Sequence, residues 1–108
     1  ALGYELESIR SQPAAKWVAA AEGDAAALEE IEGTLLASGK RATEAGRPST
    51  GQDIVKGRRT EIDFINGLVA AKGQEVGVPA PTHVALTELV KRVERGDIEP
   101  SPDHVVGL

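Results

Sequence analysis

The stretch Arg58-Arg59-Thr60-Glu61-Ile62-Asp63-Phe64-Ile65-Asn66-Gly67 decides the fold of this chain. Read as a helix at about 100° per residue, it places Phe64, Ile65, Leu68, Val69 and Val76 on one face, with Ile62 at the border. Glu61 then points into the middle of that face. Burying a lone carboxylate is expensive, so two readings follow. Either the helix starts here and leaves Glu61 at a solvated end, or the carboxylate meets a partner or a ligand. As a helix start, Thr60 is the cap, Asp63 is the first-turn acid, and the helix ends near Gly77.

Working outward, Ser49 followed three residues later by Gln52 is a capping-box pattern. It predicts a short helix that carries Ile54 and Val55 to Gly57. Upstream, Pro13 opens a helix from Ala14 to Glu22, and Gly23 stops it. Trp17 and Val18 are its only large apolar groups. Asp24 caps the next helix, in which Leu28, Ile31, Leu35 and Leu36 form a buried stripe and Glu29, Glu30 and Glu32 face water. That helix runs to Ser38 or on through Lys40-Arg41-Ala42, and Gly46-Arg47-Pro48 breaks it. Before Pro13, Leu2, Tyr4 and Leu6 alternate, as in a strand or an extended entry. Downstream, Val78-Pro79-Ala80-Pro81 is a rigid, extended connector. Pro81 opens a last helix with Val84, Leu86, Leu89, Val90 and Val93, ended by Gly96. The expected fold is all-α with four to five helices, residues 1–96 forming one helical domain and residues 97–108 an extended or loose tail.

The totals narrow the function. A length of 108 residues allows one domain. A net charge of -5 without a basic block gives nucleic acid little to bind. The chain has no cysteine, which excludes disulfides and thiolate metal sites and fits a reducing, cytoplasmic setting. No apolar run approaches the ~20 residues that cross a bilayer, so no membrane partner is expected. No His/Asp/Glu cluster has metal-ligand spacing, and no metal site is expected. His83, at the start of the last helix, and His104, in the tail, read as solvated or capping groups. No glycine-rich phosphate loop follows a strand, so no nucleotide fold lies within the chain. Ser49 and Glu61 remain. A helix start at Ser49 offers free N–H groups and a hydroxyl, which suits a carboxylate. For Glu61 the plain alternatives are a first-turn acid or an ion pair with Arg58, Arg59 or Lys72.

Three strings carry a resemblance: Pro48-Ser49 with Gln52-Asp53-Ile54, then Gly57 through Gly67, then Gly77-Val78-Pro79-Ala80-Pro81 with the helix from Leu86 to Val93. Together they resemble the C-terminal domain of ketopantoate reductases (2-dehydropantoate 2-reductases), strongly from Arg47 to about Arg95 and weakly before that. The resemblance implies a two-domain, NADPH-dependent enzyme. An N-terminal Rossmann domain holds NADP, and an all-α domain like that of 6-phosphogluconate dehydrogenases closes over it. Hydride passes to the ketone of a 2-oxo acid, and the enzyme is expected as a homodimer. By the same resemblance Ser49 is expected to contact the substrate at its carboxylate, and Glu61 to sit at the nicotinamide end of the cleft, associated with cofactor and substrate binding.

The departures from the family are specific. Its proton donor is a lysine with asparagines one and two turns later; here Lys16 is followed by Ala20 and Asp24. The dinucleotide loop is missing, and both features belong to segments that would precede Ala1. Thr50 and Gly51 stand where the family often has two apolar residues, which loosens the helix start. The expectation is therefore part of a reductase, inactive by itself. The alternative is a stand-alone helical module that works by self-association or partner binding.

Overall fold

The computed structural model describes residues 1–41 and 48–108. The expected break at Gly46-Arg47 lies outside the described residues. Among them stand five α-helices: α1 (Ala14–Ala21), α2 (Ala25–Arg41), α3 (Ser49–Val55), α4 (Asn66–Glu75) and α5 (Pro81–Glu94). Two short 3-10 turns cover Ile62–Phe64 and Pro102–Val105. The all-α expectation holds. The chain divides into two compact units, Gly3–Gly46 and Arg47–Leu108 with Ala1–Leu2.

In the first unit, Ile9 and Gln12 exchange both backbone hydrogen bonds at 3.0 Å around Arg10-Ser11. Both turn residues have positive φ, 51° and 63°. That is the backbone of the two-residue hairpin turn that usually takes Asn and Gly. Pro13 then stands at the cap position of α1 with extended ψ, and Gly23, at φ 97°, ends the helix segment. Asp24 caps α2 as expected, accepting from the Ala27 N–H at 2.7 Å.

Of the stripe that the periodicity favours in α2, Ile31 is buried as expected but the leucines are not. Ala27 and Ile31 are buried, and Thr34 and Ser38 continue their face at half burial. Leu28, Leu35 and Leu36 are exposed. The reason lies in α1, whose alanines offer a short, flat surface. Close approach to such a surface suits small residues on the facing side, whereas a ridge of leucines holds helices apart. The two hydroxyls bring no desolvation penalty, because Thr34 donates to the Glu30 carbonyl and Ser38 to the Thr34 carbonyl. Gln12 donates to the Thr34 hydroxyl at 2.9 Å, and Lys16 pairs with Glu30 across the two helices.

In the second unit, Pro48 occupies the cap of α3, and Gln52 N–H bonds to the Pro48 carbonyl at 3.0 Å. The capping box therefore does not form: Ser49 is the first helical residue. Gly57, at φ 64°, ends the segment. α4 and α5 pack on each other, and a tight connector joins them. A Cβ on Gly73 would lie 2.4 Å from the Val78 carbonyl oxygen, so the connector closes down on α4 where only glycine leaves room. The Val78 N–H returns a bond to the Gly73 carbonyl at 2.8 Å. Residues 97–108, expected extended or loose, include the turn Pro102–Val105, capped by Ser101, which accepts from the Asp103 N–H. Pro100, Pro102 and Val105 face Ile54, Leu89 and Val93 across an apolar groove of about 920 Å³.

Candidate active-site segment

The central helix starts later than its periodicity predicts. Residues 60–65 are not α-helical; α4 begins at Asn66, after a break at Ile65 (φ -106°, ψ -92°). The change of direction reverses which side chains go inside. Ile62 is 5% exposed, whereas Phe64 is 77% exposed and Ile65, Leu68 and Val69 remain open to water. The apolar face expected around Phe64 is therefore a surface.

Two clamps hold this segment to α5. Thr60, buried, donates its N–H to Glu94 Oε1 at 2.6 Å, and its hydroxyl accepts the Ile62 N–H at 3.3 Å. Asp63 receives Lys91 from α5 and, at 3.2 Å, Arg59. The Lys91 ammonium, followed by the Arg59 guanidinium, holds the Asp63 carboxyl below its ordinary range against the cost of desolvation. The Thr60 hydroxyl and amide do the same for Glu94, with Arg59 adding to the effect.

Glu61 lies between these anchors. Its carbonyl accepts the Phe64 N–H at 2.9 Å, while its side chain is exposed and has no partner among the described residues. The cations expected to pair with it are engaged elsewhere. Arg58 bonds Asp53 at 2.9 Å, Arg59 bonds Asp63, and Lys72 bonds Glu75 at 2.7 Å. Nor is Glu61 a first-turn acid of α4, which starts five residues later. Ser49 is also exposed, and its hydroxyl has no partner among the described residues. Ser49 and Glu61 make no hydrogen bond to each other and share no described cavity.

The described cavities explain little by themselves. Among the described residues, the groove beside α3 and α5 offers Ser101 and His104 as its polar side chains and no lysine or arginine, a poor match for an acid substrate. A cavity of about 270 Å³ is lined by Arg58, Arg59 and Arg95. All three guanidiniums already hold carboxylates, Arg95 those of Asp97 and Glu88. Among the described residues no group of three His or acidic side chains is placed to hold a metal ion, and no helix is long and apolar enough to cross a membrane.

One polar pair was not legible in the sequence. Asn66 Nδ2 lies 3.1 Å from His83 Nδ1, joining the starts of α4 and α5. His83, expected as a solvated or capping group, is half-buried and held by this contact. Seventeen residues separate the two, and no local pattern links them. His104 approaches the Glu99 carbonyl at 3.0 Å.

Residues 15–94 match the family described as "Ketopantoate reductase PanE/ApbA C terminal". The chain is 43% identical over 54 residues to the 2-dehydropantoate 2-reductase of Archaeoglobus fulgidus, covering 50% of this chain and 18% of the relative. It is 42% identical over 78 residues to the enzyme of that name from Streptococcus pyogenes serotype M6, covering 71% of this chain and 25% of the relative. The enzyme of that name from Vibrio cholerae is 42% identical over 55 residues, or 51% of this chain and 19% of the relative. No solved structure matches. A helical fold and a match over most of its length define a C-terminal domain of the reductase class. The chain belongs to the ketopantoate reductase C-terminal family, and spans a quarter or less of the curated relatives it matches.

Proposed function

We propose that this chain is the C-terminal portion of an NADPH-dependent reductase that converts 2-dehydropantoate, or a closely related 2-oxo acid, to the 2-hydroxy acid for pantothenate synthesis in the cytoplasm. Its partner is a Rossmann domain of the same enzyme, which holds the dinucleotide. The observation that carries this reading is the state of Glu61: held by clamped neighbours, exposed, and left unpaired while Arg58, Arg59 and Lys72 bond other acids. A free carboxylate held this way is costly to desolvate unless something donates to it. The amide and hydroxyl groups of a nicotinamide riboside are such donors, so Glu61 fits that end of NADP. When bound, the cofactor supplies the hydride. Ser49 adds an unengaged hydroxyl that donates to the substrate carboxylate. The acid that protonates the new alkoxide is assigned to the rest of the enzyme, since Lys16 lacks asparagines one and two turns later and pairs with Glu30.

The exposed apolar side chains of Phe64, Ile65, Leu68 and Val69 favour a second copy or the proposed Rossmann domain as their cover. This supports a homodimer within the enzyme. It also keeps the stand-alone associating module as the competing reading.

NADPH oxidation with ketopantoate tests the proposal. The 108-residue chain alone gives no turnover, and turnover would overturn the division of labour. In the enzyme that joins this domain to its dinucleotide domain, Glu61→Ala lowers kcat/KM roughly ten- to hundredfold, the loss of one charged hydrogen bond. An unchanged kinetic profile would remove Glu61 from the cleft.

A further inference from the structure

We infer that Glu94 is a positioning residue for Glu61: from the last turn of α5 its carboxylate grips the main chain at Thr60 and fixes the residue that follows. The inference rests on the reading of Glu61 given above. The contact spans 34 residues and is short, Thr60 N–H to Glu94 Oε1 at 2.6 Å. An acid in the last turn of a helix faces the negative end of the macrodipole, a placement the dipole disfavours. The Thr60 amide offsets that cost with a charge-assisted bond. Thr60 is 6% exposed and Ile62 is 5% exposed, so the residues on both sides of Glu61 are fixed while Glu61 itself is not covered. The Thr60 hydroxyl ties these flanks to each other through the Ile62 N–H. The Asp63–Lys91 bridge is a second hold on the same helix, one residue beyond Ile62. Glu94 thus fixes the Glu61 backbone through its bond to Thr60 and not through a contact with the Glu61 side chain.

Three variants and two readouts separate the possibilities. Glu94→Ala removes the acceptor; Glu94→Gln keeps an oxygen that accepts the same N–H; Glu61→Ala removes the group being positioned. In the 108-residue chain, amide hydrogen exchange at Thr60 accelerates at least tenfold in Glu94→Ala, while Glu94→Gln keeps most of the protection and amides inside α4 are unchanged. In the enzyme, Glu94→Ala lowers kcat/KM roughly tenfold, Glu94→Gln restores most of it, and Glu94→Ala adds nothing when Glu61 is already Ala. Full activity of Glu94→Ala beside a damaged Glu61→Ala would overturn the inference. So would an undiminished Glu94→Ala penalty in the Glu61→Ala background, or unaltered Thr60 exchange. If Glu61→Ala itself has full activity, the functional reading fails instead, and Thr60 exchange still decides whether the clamp exists.

Discussion

Glu61 shows how little a residue type reveals before its neighbours are placed. Three cations within eleven residues offered it an ion pair, and each binds a different acid. The acids that do carry electrostatic work are Asp63 and Glu94, both held below their ordinary carboxylate range. A lowered folded-state value means that the folded chain resists protonation of these groups more than the unfolded chain does. Their contribution is therefore full above the ordinary carboxylate range and is lost as pH falls through it toward the folded values. Thermal melts across the acid range should show stability falling in that window, and the fall should be shallower in Glu94→Gln. Thr60 gives a neutral test of the same clamp. Thr60→Val keeps the backbone bond to Glu94 but removes the hydroxyl that also acts on Glu94 and accepts the Ile62 N–H, and should cost about 1–2 kcal/mol in a denaturant titration.

At the scale of elements, glycines in two helices make opposite predictions. Gly73 in α4 lies beneath the Val78 carbonyl, where a Cβ would come within 2.4 Å of backbone that cannot swing aside. Gly73→Ala should destabilise by about 1–3 kcal/mol despite the better helix propensity of alanine. Gly33 in α2 has nothing within 4 Å of a built Cβ. Gly33→Ala should stabilise by about 0.5–1 kcal/mol, the ordinary helical gain. Denaturant midpoints of the two variants should move in opposite directions. The elements themselves were largely legible. Pro13, Gly23, Asp24, Pro81 and Gly96 mark boundaries that the structure keeps to within a residue. The start at Ser49 held as a position but not as a cap, because Pro48 supplies fixed φ and a carbonyl one residue earlier.

At the scale of the whole molecule, much apolar surface stays open. Phe64, Leu68 and Val69 in one unit and Leu28, Leu35 and Leu36 in the other are exposed side chains. The chain should therefore associate as its concentration rises, and Phe64→Asp should reduce that tendency in light scattering without lowering the melting temperature by more than a degree or two. A strictly monomeric chain at high concentration would argue against the homodimer.

Sequence alone determined the helical class, most of the helix limits and the family, because these rest on local chemistry: proline and glycine at ends, acids at caps, and a long specific string around Glu61. Tertiary structure alone decided which faces are inside. Whether Ile62 or Phe64 goes to the core, and whether Ala27 or Leu28 meets α1, depends on the shape of the surface opposite. That surface comes from residues distant along the chain: Glu94 for Thr60, Lys91 for Asp63, and the small alanines of α1 for α2. Periodicity specifies that a helix has a face, but the partner's volume and hydrogen-bonding groups select it.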